Sequence, residues 1–203
     1  MSFRYEKALE LMELAHANER FAHAYLIMGP PGSGKEKLAI RMMEMVNEAD
    51  RQKGATTLEA LRSSTTTVIG PESKSRRITV DAIRALEHTL HMAAPAGVTK
   101  FAIVQEADRM GQEAENAFLK TLEEPPQASR LLLLTSRPEM LLETILSRCI
   151  RVTLSGSITP AAFTTIEQSF LDSLRDHAVK GVKGISGALG LMSGFTELLK
   201  QEK

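Results

Sequence analysis

The stretch Gly29-Pro30-Pro31-Gly32-Ser33-Gly34-Lys35-Glu36, GPPGSGKE, decides how the rest of the chain is read. A phosphate-binding loop works because successive backbone N–H groups curl around phosphate oxygens while the helix that follows presents its positive end to them. Gly29, Gly32 and Gly34 supply the backbone freedom, Pro30, Pro31 and Ser33 complete the loop, and Lys35 brings a point charge toward the β and γ phosphates. The flanks agree with this reading. AYLIM (24–28) is a short apolar run that predicts a buried parallel strand, and KEKLAIRMMEMVNEA predicts a helix with Leu38, Met42 and Met45 or Val46 inward. The last letter departs from the motif. Glu36 stands where a serine or threonine would lend its hydroxyl to Mg²⁺, and it places a carboxylate close to the triphosphate. For folding the exchange is harmless, since an acid at a helix N-terminus is worth ~0.3–1 kcal/mol. For nucleotide binding it is costly.

Outward from the loop, strand and helix patterns alternate. Residues 4–19 predict an amphipathic helix with Leu9 and Met12, flanked by Ala8 and Ala15, on its apolar stripe. TTVIG (66–70) and KFAIVQ (100–105) predict strands, as do RLLLLTS and CIRVTL. Between them lie a helix that Thr79 caps, with Ile83, Leu86 and Leu90 inward, and a helix over 113–124 stopped by Pro125-Pro126. PEMLLETILSR predicts one short helix before the last strand, and residues 50–66 form a polar connection without a clear pattern. Such alternation predicts an α/β domain with helices on the faces of a parallel sheet, and ligands of such sheets bind beyond the carboxyl ends of the strands. From about Gly156 no convincing strand remains, so a small helical appendage is expected.

The second half of a phosphate site should be an acidic pair at the end of a buried strand. In KFAIVQEADRM that position holds Gln105, where the magnesium-holding aspartate is expected, followed by Glu106, where the residue polarising the attacking water is expected. An amide is a poor substitute for a carboxylate beside a hard cation. Glu36 and Gln105 together predict weak binding of ATP or ADP with little dependence on Mg²⁺ and depressed hydrolysis. A bland reading of Glu106 and Asp108, as an acidic cluster capping a helix, stands beside the catalytic one.

Composition adds boundaries. The 203 residues carry 25 Lys+Arg and 25 Asp+Glu, so no net field draws the chain to nucleic acid or an acidic membrane. The one cysteine, Cys149, excludes an internal disulfide and a cysteine-built zinc site. No apolar run reaches the roughly 18 residues that a bilayer span requires, and the charged, amphipathic start is unlike a signal peptide, so the expected location is cytoplasmic. Lys74, Arg76 and Arg77 form a short basic patch, which more often decorates a solvated loop than contacts DNA.

Five segments in order, RFAHAYLIMGPPGSGK, ESKSRRITVDAIRAL, KFAIVQEADRM, AENAFLKTLEEPP and TILSRC, resemble the AAA+ clamp-loader subunits of bacterial DNA polymerase III, the delta-prime type above all, over about residues 3–155. The resemblance implies a three-layer P-loop AAA+ domain with a five-stranded parallel sheet over 1–155, a partial helical lid over 156–203, and a collar domain lying outside this chain. It implies that Arg148, in Ser147-Arg148-Cys149, acts as an arginine finger in the ATP site of a neighbouring subunit. It also implies that Ser136, with Thr135 adjacent, occupies the sensor-1 position that touches the γ-phosphate. Implied partners are gamma/tau and delta subunits and, through the complex, the sliding clamp and primer-template DNA during replication; no membrane is implied. Departures are plain: residues 47–66 hold no cysteine for the zinc module many such subunits carry, and GISGALGLM, similar to the sensor-2 region, lacks its arginine. Three functions follow as alternatives: a delta-prime-like subunit with a degenerate site, an ATP-hydrolysing gamma-like subunit, and a pure protein or DNA interaction module.

Overall fold

The computed structural model describes residues 2–47, 54–71 and 76–156. The chain divides into a unit of Met1–Ser157 and another of Ile158–Lys203; the second, with the lid reading and GISGALGLM, lies outside the described residues.

Five short apolar runs form strands β1 (Ala24–Met28), β2 (Thr66–Ile69), β3 (Lys100–Val104), β4 (Ser129–Thr135) and β5 (Ile150–Thr153). They make one sheet in the order β2-β3-β4-β1-β5, every pair parallel. The helices are α1 (Tyr5–Ala17), α2 (Lys35–Val46), α3 (Val80–His91), α4 (Gln112–Glu123) and α5 (Glu143–Arg148).

Topology dictates which face each helix covers. The β1-to-β2 crossover runs toward one edge of the sheet, while the three later crossovers run back toward the other. Right-handed connections therefore set α2 on one face and α3, α4 and α5 on the opposite one. The two cores follow this division. Tyr25, Ile27, Leu38, Met42 and Ala8 belong to one, and Leu26, Ile83, Leu86, Phe118 and Ile145 to the other. Adjacent strand residues such as Leu26 and Ile27 thus serve opposite cores, which is why central strands are apolar at every position. This is the three-layer parallel α/β architecture expected from the sequence.

Local signals act where they were expected to. The Thr79 hydroxyl accepts the Ala82 amide and starts α3, and Ile83, Leu86 and Leu90 are buried. The stripe of α1 is narrower than expected, with Ala8 and Met12 buried and Leu9 packed at the margin. Two segments differ more. The helix expected over PEMLLETILSR is broken into a 3-10 turn, Pro138–Met140, and α5. Leu141 and Leu142 between them are extended, with ψ of 149° and 137°, because both side chains turn into the core beneath α4. In the patternless connection, Leu58 and Leu61 flank and end a 3-10 turn and are fully buried beside α2.

The sheet edge at β5 is partly covered by the start of the chain. Phe3 N–H donates to the Thr153 carbonyl at 2.7 Å, and Ser155 N–H donates to the Phe3 carbonyl at 2.7 Å. Among the described residues no helix is long and apolar enough to cross a membrane.

Candidate functional site

Parallel pairing aligns the carboxyl ends of β1, β4 and β3, with Met28 beside Thr135 and Val104 beside Leu133. The loops leaving those ends wall a cleft of about 1190 Å³, ample for a nucleotide-sized ligand. Pro30, Pro31, Gly32, Gly34, Lys35 and Glu36 line it from the first loop, Gln105 and Glu106 from the turn after β3, and Ser136 from the end of β4. Gly29 and Ser33 stand behind the lining. A Cβ at Gly29 would lie 2.6 Å from Ser33 Oγ and 2.7 Å from the Leu154 carbonyl, so the loop closes only over glycine. Gly34 opens α2 in the left-handed conformation, with φ of 88°. Ser33 Oγ is buried behind the loop without a hydrogen-bond partner.

Lys35 folds over its own loop. Its ammonium donates to the carbonyls of Gly29 at 2.6 Å and Pro30 at 2.9 Å, and to Ser136 Oγ at 3.0 Å. Burial pulls its pKa below the ordinary lysine value, and the carboxylates of Glu36 and Asp108 offset part of that shift. Of the two neighbouring hydroxyls it is Ser136 that meets the lysine. Thr135 is buried and donates instead to Asp108 Oδ1 at 2.7 Å.

The two residues that depart from the magnesium-binding pattern touch one another. Gln105 Nε2 donates to Glu36 Oε1 at 3.2 Å. A carboxylate can only accept, so the amide must turn its nitrogen to Glu36. Were residue 105 the expected aspartate, two carboxylates would face each other here. Glu106 follows in the left-handed conformation, φ 46° and ψ 51°, and ends 3.5 Å from the Arg109 guanidinium. That conformation is uncommon for a residue with a Cβ and clusters at functional turns.

Asp108 is the residue that sequence reasoning undervalued. It does not serve as a mere cap: its carboxylate, almost wholly buried, accepts Thr135 Oγ1 on one oxygen and both Nε (3.1 Å) and Nη2 (2.7 Å) of Arg137 on the other. Burial pushes its pKa up, but the bonds from Thr135 and Arg137 and the charge of Arg137 outweigh this, and the carboxyl sits below the usual aspartate value. This clasp ties the turn after β3 to the end of β4, the two segments from which Gln105 and Ser136 line the cleft. The available sequence signal was only an acid in the post-strand turn.

Arg148 stands apart from the cleft lining. At the end of α5 it donates from Nη1 to the Thr144 carbonyl at 3.0 Å and pairs through Nη2 with Glu123 Oε1 at 2.6 Å. Next to it the Cys149 thiol is buried, and its pKa is pushed up to about 12 by that burial, which keeps it protonated and inert. In the basic patch, Lys74 lies outside the described residues, and Arg76 and Arg77 are exposed.

Residues 5–157 match the family described as DNA polymerase III, delta subunit. The chain is 35% identical over 138 residues to the delta-prime subunit of DNA polymerase III from Pseudomonas aeruginosa, an alignment covering 64% of this chain and 42% of that one. It is 29% identical over 220 residues to the tau subunit from Bacillus subtilis, covering 97% of this chain and 38% of that one. Among solved structures, a gamma subunit-related protein of DNA polymerase III from Thermotoga maritima superposes with a TM-score of 0.57 at 25% identity, covering 95% of this chain and 56% of the other. The chain thus spans about 40% of the length of these curated relatives and shares the AAA+ fold of the solved one. It belongs to the DNA polymerase III delta-subunit family and is delta-prime-like.

Proposed function

We propose that this chain is a clamp-loader subunit whose own nucleotide site is degenerate and whose Arg148 completes the ATP site of a neighbouring gamma/tau-type subunit during loading of the sliding clamp. In this reading it works in the cytoplasm, beside gamma/tau and delta subunits, and reaches clamp and primer-template DNA through the complex. The observation that carries it is the hydrogen bond from Gln105 to Glu36. The pair lies where a hydroxyl and an aspartate would hold Mg²⁺, and it presents an amide N–H, which is no ligand, to one oxygen of the Glu36 carboxylate in place of a second anionic oxygen. The donor set therefore suits phosphate better than metal: Lys35, the glycines and Ser136 remain for a weakly held ATP or ADP, while the metal that would stabilise charge in phosphoryl transfer has lost its expected hydroxyl and aspartate ligands. Glu106, in the water-polarising position, then has no activated phosphate to act upon.

Arg148 supplies the chemistry instead. A guanidinium delivered across a subunit boundary neutralises charge gathering on the γ-phosphate oxygens, an effect worth ~10³–10⁵ in rate. Its position away from this chain's own cleft supports action in trans.

A second reading, a gamma-like ATPase, draws on the retained contact between Lys35 and Ser136 and on the likeness to a tau subunit. One double substitution separates the two. Glu36→Thr with Gln105→Asp should confer magnesium-dependent ATP binding, read by calorimetry in matched Mg²⁺ and EDTA buffers. If the unsubstituted chain already binds MgATP at micromolar levels and turns it over, the degenerate site is refuted.

A further inference from the structure

Helix α4, AENAFLKTLEEPP in its sequence context, contributes nothing to the cleft lining, yet it holds α5 at both ends. At the start of α5, the buried Glu115 carboxylate accepts the Leu142 amide at 3.2 Å. Between the ends, Phe118 and Leu122 of α4 share a core with Ile145 and Cys149. At the end, Glu123 Oε1 meets Arg148 Nη2 at 2.6 Å.

Resting on the finger reading of Arg148, we propose that Glu123 is a positioning residue which holds the Arg148 guanidinium ready for the neighbouring subunit's γ-phosphate. An arginine has five N–H donors. Two are engaged here, one on Thr144 and one on Glu123, so three remain for a phosphate. The side chain is thereby ordered without being used up, and it stays 36% exposed, open to an approaching subunit. An untethered arginine at the end of a short helix would have to give up its rotamer freedom when the ATP site closes, and misplacement by about 1 Å can cost on the order of 10²-fold in rate. The pairing also makes one device of two of the five segments that carry the family resemblance: TLEE ends one helix, SRC ends the next, and the acid of the first grips the base of the second.

The test is ATP turnover by the reconstituted complex containing this chain, with Glu123→Ala, Glu123→Gln, Arg148→Ala and the double variant Glu123→Ala/Arg148→Ala. Glu123→Ala should lower kcat by about tenfold with KM unchanged, Glu123→Gln should keep part of the rate because it retains an acceptor oxygen, and the double variant should be no slower than Arg148→Ala. If Arg148→Ala slows turnover and Glu123→Ala does not, the positioning role is overturned while the finger stands. If the loss from Glu123→Ala persists on top of Arg148→Ala, Glu123 acts elsewhere and the role is likewise overturned. If Arg148→Ala leaves turnover unchanged, the finger reading falls and takes this inference with it.

Discussion

At Asp108, burial and hydrogen bonding pull the carboxyl in opposite directions, and the partners win: Thr135 and Arg137 hold the folded-state pKa below the ordinary one. For a carboxyl depressed on folding, the stabilisation is complete above the unfolded-state pKa, about 3.9 for aspartate, and is lost as pH falls through the lower folded value. Asp108→Asn should therefore reduce unfolding free energy by about 1–2 kcal/mol at pH 7, the half-exposed arginine tempering the loss. The difference between variant and parent should close as urea titrations are carried from pH 6 down toward acid; a gap independent of pH would contradict the assignment. Glu115 runs the other way, since burial raises its pKa against the lowering pull of the Leu142 amide, so its charged form opposes folding and that cost is relieved as pH falls. Such residues were hard to read in the sequence because their partners are remote. Arg137 lies 29 positions and Thr135 27 positions from Asp108, and only the adjacency of β3 and β4 brings them together. Glu36 and Gln105 were legible because a motif numbers its own positions, although nothing in the sequence showed that the two would bond to each other.

Among the elements, α3 shows how a strand residue can finish a helix. Lys100, the first residue of β3, is buried and donates its ammonium to the carbonyls of Thr89, at 2.6 Å, and Met92 at the end of α3. These are carbonyls a helix leaves unpaired, at its negative end, so a cation there satisfies both the hydrogen-bonding deficit and the dipole. Lys100→Met should lower unfolding free energy by about 2 kcal/mol in urea titration at pH 7; an unchanged midpoint would contradict this capping role. The start of α3 was legible, because Thr79 caps locally and the apolar stripe follows at helical spacing. Its end was not, since Lys100 reads simply as the charged edge of an apolar strand. PEMLLETILSR failed for a related reason: its leucines fit a helical stripe, whereas Leu141 and Leu142 are drawn into the core beneath α4 with an extended backbone. Leu58 and Leu61 were missed because a 3-10 turn presents no periodicity long enough to detect.

Across the whole described domain, the order of alternating strands and helices sufficed for the parallel sheet, and right-handed crossovers assign the helices to faces. The same topology separates the cleft from Arg148. The cleft lies at the carboxyl ends of β1, β3 and β4, where the chain's own nucleotide would bind, while Arg148 closes α5 away from that lining and is gripped by α4. In the proposed function, a subunit built this way would offer its neighbour an arginine whatever the state of its own cleft. The proposed division of labour rests on the cleft lacking the hydroxyl and aspartate ligands of Mg²⁺. The most direct measurement is calorimetric titration of the purified chain with ATP in Mg²⁺ at an excess over nucleotide, and again in EDTA, with phosphate release followed in parallel. The expected result is weak binding of similar strength in both buffers and no release of phosphate. Micromolar binding that depends on Mg²⁺, accompanied by steady turnover, would contradict it.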